Sequence, residues 1–233
     1  MTKHVFIVGA QRCATTYLCE VLDQHPQILV ARKNNKFVPE PKFFSMPNGV
    51  DKYNSYFKGH KEKVWVEKSV CYLHQPHYCS ILHNFFPDAT IIIALRNPVE
   101  RSISQYYLTK HHGLETRNIE DAMFGDSIDF PELSMSPHQY LEHGEYLNYI
   151  NQFLEKFQDV IIITTEMFVG CQKEVRKLYH KLKVDDFFPN VDIRPHAFER
   201  QYVPPTLIRS LEDYFAPHVD SLEKQLGIKL WDV

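Results

Sequence analysis

Residues 5–18 read VFIVGAQRCATTYL, and this stretch decides the fold. Its first four residues form an unbroken apolar run, Gly9 opens a turn, and the hydroxyls of Thr15 and Thr16 begin a helix-like segment that reaches residue 24. A strand that is apolar on both faces is buried on both faces, which is typical of a parallel sheet covered by helices. The stretch therefore predicts a strand, a turn and a helix at the start of an α/β fold.

Similar patterns recur along the rest of the chain. Apolar runs without polar alternation predict further strands at residues 64–66, 90–95 and 160–163. Helix-like segments cover residues 75–86, 99–111, 145–157, 173–182 and 206–226, whereas residues 31–53, 126–137 and 187–205 read as loops. We expect a three-layer α/β sandwich, with a central parallel sheet flanked by helices, as a single domain over residues 1–233.

Composition excludes several classes of function. The 233 residues include 26 Lys and Arg against 29 Asp and Glu, a net charge of −3, which argues against a protein that coats nucleic acid or an anionic membrane. No apolar run approaches the length of a membrane span, and the five cysteines have no paired spacing that would indicate a disulfide framework or a zinc site. We expect reduced thiols, no bound metal and a cytoplasmic location.

The turn after the first strand can bind an anion. Ligands of open α/β sheets gather at the carboxyl ends of the strands, and a helix N-terminus there presents unpaired backbone N–H groups. Arg12 adds a positive charge, and Thr15 and Thr16 add hydroxyl donors. A nucleoside triphosphatase loop of the form GxxxxGK[ST] would need a second Gly and a Lys, which this turn lacks. A small-molecule or nucleotide kinase is therefore the alternative and not the first hypothesis.

Four other segments carry a family resemblance. They are PEPKFF at residues 39–44, EKSVCY at 67–72, LRNPVERSIS at 95–104 and LGIKLW at 226–231. Together with the first turn, they resemble the sulfotransferases that use 3′-phosphoadenosine 5′-phosphosulfate (PAPS), especially the heparan-sulfate-type and bacterial branch. The resemblance extends from residue 4 to residue 231, apart from residues 126–137 and 187–205, and implies the family's fold, which is similar to that of P-loop nucleoside triphosphate hydrolases.

The resemblance assigns residues to the co-substrate. The 5′-phosphosulfate loop corresponds to Arg12, Cys13, Ala14, Thr15 and Thr16, with Arg12 in the place of the family's usual Lys and with Cys13 and Ala14 in the place of two small residues, often Gly. The 3′-phosphate would be held by Arg96 and Ser104, with Arg194 or Arg200 as a further contact. A guanidinium at the end of the most apolar strand can grip a phosphate through two parallel hydrogen bonds.

The resemblance also implies a mechanism. Glu40 corresponds to the general base, Lys68 to the lysine that contacts the sulfuryl group or the acceptor, and Arg12 to the cation that stabilises the leaving group. The sequence agrees for Glu40, because the flanking prolines restrict its backbone and Phe43 and Phe44 can anchor the segment in the core. The expected reaction moves a sulfuryl group from PAPS to the hydroxyl of a small molecule or carbohydrate, leaves adenosine 3′,5′-bisphosphate, and needs no metal.

Two questions stay open in the sequence. A non-catalytic nucleotide-binding module with the same fold is a third hypothesis, although Glu40, Lys68, Arg96 and Ser104 count against it. The acceptor is also undetermined: residues 110–159 hold three basic and ten acidic residues, which would repel a polyanionic glycan if they lined its cleft, but they are equally consistent with a solvated face. The sequence does not indicate an oligomeric state.

Overall fold

The computed structural model describes residues 2–32, 40–126, 128, 136–193 and 202–231. Its centre is a five-stranded sheet with the strand order β2-β3-β1-β4-β5, in which every neighbouring pair is parallel. The strands are β1 (Lys3–Gly9), β2 (Ile28–Val30), β3 (Val64–Lys68), β4 (Thr90–Leu95) and β5 (Asp159–Thr164). Since all strands run the same way, their carboxyl ends meet along one edge.

Helices cover both faces of this sheet. They are α1 (Thr15–Asp23), α2 (Gly49–Phe57), α3 (Cys71–His74), α4 (Pro76–Phe85), α5 (Pro98–His111), α6 (Ile119–Phe124), α7 (Leu147–Lys156), α8 (Thr165–Phe168), α9 (Gln172–Leu182) and α10 (Pro205–Leu226). Short 3₁₀ turns lie at Phe43–Ser45 and Glu142–Gly144. No helix of the described residues is both long enough and apolar enough to cross a membrane.

Alternate residues of β1 face two different cores. Phe6 and Val8 pack in the cluster that includes side chains of α2, α4, α7 and α10, whereas Val5 and Ile7 pack in the cluster with α1 and α9. All four side chains are inaccessible to solvent. This two-sided burial gives the three-layer sandwich that the apolar runs predict, and the predicted strand at residues 90–95 coincides with β4.

The prediction of a loop over residues 31–53 is wrong at its end, because α2 begins at Gly49. A Cβ at Gly49 would lie 2.2 Å from the carbonyl oxygen of Phe43, so only glycine allows the helix to start this close to the preceding turn. Tyr53 and Phe57 then anchor α2 with fully buried rings. The Pro and Asn residues around Gly49 are typical of loops, so the sequence pattern does not indicate this helix. The short strand β2 was also not predicted.

Candidate active site

The turn between β1 and α1 has the backbone shape of an anion cradle. Arg12 and Ala14 are in the left-handed region, with φ of 68° and 55°. Ala14 is the N-cap of α1 and gives no side-chain hydrogen bond to the first turn. The first N–H groups of a helix have no partner inside the helix, so here they face the edge where a ligand would supply the acceptor.

Arg12 connects this turn to helix α5. Its Nε donates a 3.0 Å hydrogen bond to the hydroxyl of Ser104. Burial lowers the pKa of the Arg12 guanidinium to about 10, and the positive charge of Arg96 contributes to the same shift. An anion placed beside Arg12 would offset the unfavourable effect of the Arg96 charge on it. The three predicted phosphate contacts, Arg12, Arg96 and Ser104, are therefore brought together.

Arg96 immediately follows β4 and is held from both sides. Its backbone carbonyl accepts a 2.7 Å hydrogen bond from the hydroxyl of Tyr146, and its guanidinium forms a 3.1 Å ion pair with Glu100. Asn97 caps α5 by accepting hydrogen bonds from the N–H groups of Val99 and Glu100. This cap fixes where α5 begins and hence where Ser104 lies, two turns into the helix.

A shallow cleft of about 600 Å³ opens beside Arg96. Carboxylates, a guanidinium and an indole line it: Arg96, Asn97, Glu100, Thr165, Glu166, Leu230 and Trp231. Glu166 ties the cleft together, because it accepts hydrogen bonds from the Asn97 N–H at 2.8 Å and from the Trp231 indole N–H at 3.0 Å. The cleft thus joins the chain terminus to the end of β4.

Glu40 and Lys68 form a second group at the same edge. Lys68 is the last residue of β3, the strand next to β1, and its ammonium lies 3.2 Å from Oε1 of Glu40. Both residues are largely withdrawn from solvent, with 9% of Glu40 and 6% of Lys68 exposed. An ion pair with so little water around it is less screened than a surface pair, so each charge strongly positions the other.

The segment after Glu40 is anchored in the aromatic core. Phe43 and Phe44 are both buried, and the Phe44 ring meets the ring of Phe6 on β1 edge to face, with 5.6 Å between centroids. This confirms the predicted role of the two phenylalanines. The carboxylate of Glu40 is therefore attached to a short segment whose position is set by the central strand.

The remaining predicted contacts differ in their surroundings. Cys13 is fully buried, with Sγ 3.6 Å from the Tyr146 hydroxyl, and burial raises its thiol pKa to about 11, so only its backbone is available to a ligand. Thr15 is buried and Thr16 half-buried at the start of α1. Arg194 and Arg200 lie outside the described residues. The described residues include no group of three or more side chains that could hold a metal ion.

Comparison with known protein families gives a match to the sulfotransferase domain over residues 2–185. The chain belongs to the PAPS-dependent sulfotransferase family. This transferase family has a P-loop-like fold, as the resemblance of the motifs implied. Helix α10 and the terminal Trp231 lie beyond the matched residues, although both pack against the matched part.

Curated relatives of this sulfotransferase domain are larger proteins. The chain is 29% identical over 107 residues to the membrane-associated sulfotransferase kil1 of Dictyostelium discoideum and 29% identical over 161 residues to bifunctional heparan sulfate N-deacetylase/N-sulfotransferase 3 of Mus musculus. The alignments cover 44% and 65% of this chain but 22% and 18% of those proteins. The chain thus spans about a fifth of the length of these relatives.

Solved sulfotransferase structures match the whole chain. A sulfotransferase from Alicyclobacillus acidocaldarius has a TM-score of 0.80 at 27% identity, covering 99% of this chain and 98% of that one. The sulfotransferase domain from the curacin biosynthetic pathway has a TM-score of 0.58 at 15% identity over 99% of both chains, which shows a shared fold alone.

Four residues near the candidate site have no role predicted from the sequence. They are Glu67, Tyr146, Glu166 and Trp231. The structure gives Tyr146 a hydrogen bond to the Arg96 backbone and places Trp231 in the cleft. A hydrogen bond between residues 50 apart leaves no periodic signal, so only the folded chain reveals it. No sequence pattern indicates Glu166, because it lies in a four-residue helix outside the motifs that resemble the family.

Proposed function

We propose that this chain transfers a sulfuryl group from PAPS to an acceptor hydroxyl, with Glu40 as the general base. The observation that carries the proposal is the juxtaposition of two groups at one sheet edge. The phosphate contacts Arg12, Arg96 and Ser104 follow β1 and β4, and the buried Glu40–Lys68 pair lies at the end of the adjacent strand β3. In this proposal anion binding and proton removal therefore take place at neighbouring strands.

The donor set fits a nucleotide that carries phosphate at two positions. The left-handed turn and the uncapped N-terminus of α1, with Thr15 and Thr16, suit the 5′-phosphosulfate. Arg96 and Ser104, on the far side of Arg12, suit a 3′-phosphate. When bound, PAPS supplies a sulfuryl group attached to a phosphate leaving group.

In this proposal Glu40 accepts the proton of the acceptor hydroxyl as the oxygen attacks sulfur. Lys68, 3.2 Å from Glu40, holds that carboxylate in place and presents positive charge to the sulfuryl oxygens. Arg12 and the first-turn N–H groups of α1 stabilise the negative charge that develops on the leaving phosphate. Catalysis then rests on positioning and electrostatic stabilisation, as in phosphoryl transfer, and the cationic side chains supply the charge without a metal ion.

Several features of the proposal stay predictions. These are a single sulfotransferase domain over residues 1–233, a cytoplasmic location, and an acceptor that is a small molecule or a carbohydrate. A kinase remains the alternative function, but residues 2–185 match the sulfotransferase domain and the turn after Gly9 lacks the second Gly and the Lys of a kinase loop of this type. The relatives' names favour including heparan-type glycans and N-sulfation acceptors among the substrates to be tested.

The direct test is transfer of radiolabelled sulfate from PAPS to a panel of hydroxylated small molecules, neutral glycans and heparan-type glycans. We expect at least one acceptor to be labelled and adenosine 3′,5′-bisphosphate to form in equal amount. Formation of labelled product from ATP instead, with none from PAPS, would replace the proposal with the kinase.

The first prediction concerns Glu40→Gln. General base catalysis contributes about 10²–10⁴ in rate, so kcat should fall by about that factor while binding of adenosine 3′,5′-bisphosphate is kept. Glu212→Gln, an exposed glutamate on α10, is the matched control and should behave as the parent. Full turnover by Glu40→Gln would show that another group removes the proton.

A further inference from the structure

Glu67 is a buried carboxyl group beside the proposed base that the mechanism does not use. It lies next to Lys68 at the end of β3 and has no solvent-accessible surface. Its Oε1 accepts hydrogen bonds from the Ser69 hydroxyl at 2.6 Å and from the Tyr72 hydroxyl at 3.3 Å. Both donors lie within five residues of Glu67, but the segment that they bind is the distant one that carries Glu40.

Each of these hydroxyls also accepts a backbone N–H from the segment that carries Glu40. The Lys42 N–H donates to the Ser69 hydroxyl at 3.0 Å, and the Phe44 N–H donates to the Tyr72 hydroxyl at 3.1 Å. A hydroxyl that gives its hydrogen to Glu67 turns its lone pairs toward these amides. One carboxylate oxygen therefore orients both hydroxyls that hold the base segment.

The segment that carries Glu40 needs these hydrogen bonds because of its backbone conformation. Lys42 has a φ of 48°, which is the left-handed region that side chains other than glycine seldom adopt. It lies two residues after Glu40, so a change in its backbone angles would swing the Glu40 carboxylate away from Lys68. Ser69 itself is fixed to the central strand, because its N–H donates to the Ile7 carbonyl at 3.1 Å. The hydrogen bonds thus tie the segment to the sheet.

We propose that Glu67 is a positioning residue that sets the place of Glu40 through the hydroxyls of Ser69 and Tyr72. The proposal rests on the proposed function, since it gives Glu67 a task only if Glu40 is the base. Glu67 acts through backbone amides and does not itself exchange a proton with the acceptor.

The electrostatics of the pair agree with this division of roles. Burial raises the pKa of Glu67 to about 8, and the charge of Glu40 contributes to the same shift. Oε2 of Glu67 has no hydrogen-bond partner among the described residues, so a proton on that oxygen leaves both bonds to Oε1 intact. A neutral Glu67 also does not compete with Glu40 for the charge of Lys68, whose ammonium lies 3.2 Å from the Glu40 carboxylate.

The test removes the two hydroxyls and keeps the carboxyl groups. Ser69→Ala and Tyr72→Phe should each lower kcat by about 10-fold, the upper range for one net hydrogen bond, with KM for PAPS unchanged. In a Glu40→Gln background the same substitutions should cause no further loss, because they act only through the base. Ser55→Ala, an exposed serine on α2, is the control and should keep full turnover in both backgrounds.

A second readout does not depend on activity. Amide hydrogen exchange of the unliganded protein should be faster in a peptide covering residues 41–46 when Ser69 is Ala, and unchanged when Ser55 is Ala. Glu67→Gln keeps an oxygen acceptor and should retain most of the protection and turnover, whereas Glu67→Ala should lose both.

The outcomes separate this inference from the proposed function. Full turnover and unchanged exchange in Ser69→Ala and Tyr72→Phe, with Glu40→Gln inactive, would overturn the role of Glu67 and leave the base assignment standing. A further loss in the Glu40→Gln background would show a general structural role and would also overturn it. A fully active Glu40→Gln would instead remove the base assignment itself.

Discussion

The Arg at position 12, where the family pattern usually has Lys, changes which contacts this side chain can make. In the family pattern this position usually holds Lys, whose ammonium is a point charge with no fixed direction. The guanidinium of Arg12 is planar and donates a directed hydrogen bond from Nε to the Ser104 hydroxyl at 3.0 Å. Arg12 therefore links the two proposed phosphate positions in a way that a lysine cannot.

Two histidines away from the proposed site are held in contact. The rings of His74 and His143 lie 4.2 Å apart, close to the buried guanidinium of Arg101. Burial, with the charge of Arg101, lowers the pKa of His74 to about 3 and that of His143 well below its usual value. The folded protein therefore keeps both rings neutral at pH values where the unfolded chain takes up protons.

This arrangement makes stability depend on pH in a defined direction. Because the unfolded histidines titrate near pH 6.5 and the pKa values of both folded histidines are lower, the free energy of unfolding should fall as the pH is lowered through 6.5. Between pH 7 and pH 5.5 the loss should be about 1 kcal/mol smaller in His143→Gln than in the parent. Urea unfolding at the two pH values measures it. The control is His112→Gln, at an exposed histidine, which should lose as much free energy of unfolding between the two pH values as the parent. If the parent and His143→Gln lose equal amounts, the buried His143 ring is not neutral.

At the scale of elements, helix α5 connects the core of the sheet to the site. It begins at the Asn97 cap directly after Arg96, carries Ser104 on its second turn, and buries Val99 and Tyr106 against α10 and α6. Gly144 allows the close contact on this side, since a Cβ there would lie 2.7 Å from the Phe215 ring. The position of the proposed phosphate contacts Arg96 and Ser104 thus depends on how α5 begins and on what packs behind it.

The cap of α5 should therefore matter for stability and for binding. Asn97→Ala should lower the free energy of unfolding by about 1 kcal/mol, the usual cost of a lost N-cap, and should weaken binding of adenosine 3′,5′-bisphosphate. Asn97→Asp keeps the acceptor oxygen and should restore the stability. The matched control is the exposed Asn54 on α2, changed to Ala. An Asn97→Ala variant as stable as the parent in urea would show that the cap does not fix this helix.

The elements differ in how well the sequence predicts them. The strands β1 and β4 have long apolar runs because both of their faces are buried, and β5, a half-buried edge strand, has such a run too, which makes all three predictable. Strand β2 has only three residues, too few for a period to be seen. Helix α2 depends on the contact between Gly49 and the Phe43 carbonyl, which no local pattern contains. Elements with a long apolar run are therefore predicted, whereas short elements are missed, including α6, which its own Asn118 caps.

The same distinction applies to the site. Motif resemblance predicts Glu40, Lys68, Arg12, Arg96 and Ser104 as site residues, and the structure brings these side chains to one edge of the sheet. The resemblance does not predict the partners of these side chains, such as Ser104 for Arg12 or Glu40 for Lys68, because many residues separate the members of each pair in the sequence. The hydroxyls that connect Glu67 to the base segment belong to the same class of contact.

At the scale of the whole molecule, charge is distributed unevenly. The chain carries a net charge of −3, yet residues 1–50 hold six basic residues against three acidic ones. This portion contains the β1–α1 turn and Glu40. A modestly acidic protein can therefore present a local positive site to a nucleotide without attracting polyanions over its entire surface.

Calorimetric titration with adenosine 3′,5′-bisphosphate and with ATP tests the central claim most directly. If Arg96 and Ser104 hold a 3′-phosphate, the bisphosphate should bind at least about tenfold more tightly than ATP, because charge-assisted hydrogen bonds contribute about 1.5–3 kcal/mol each. Equal or tighter binding of ATP would contradict a PAPS-dependent sulfotransferase and would favour the kinase.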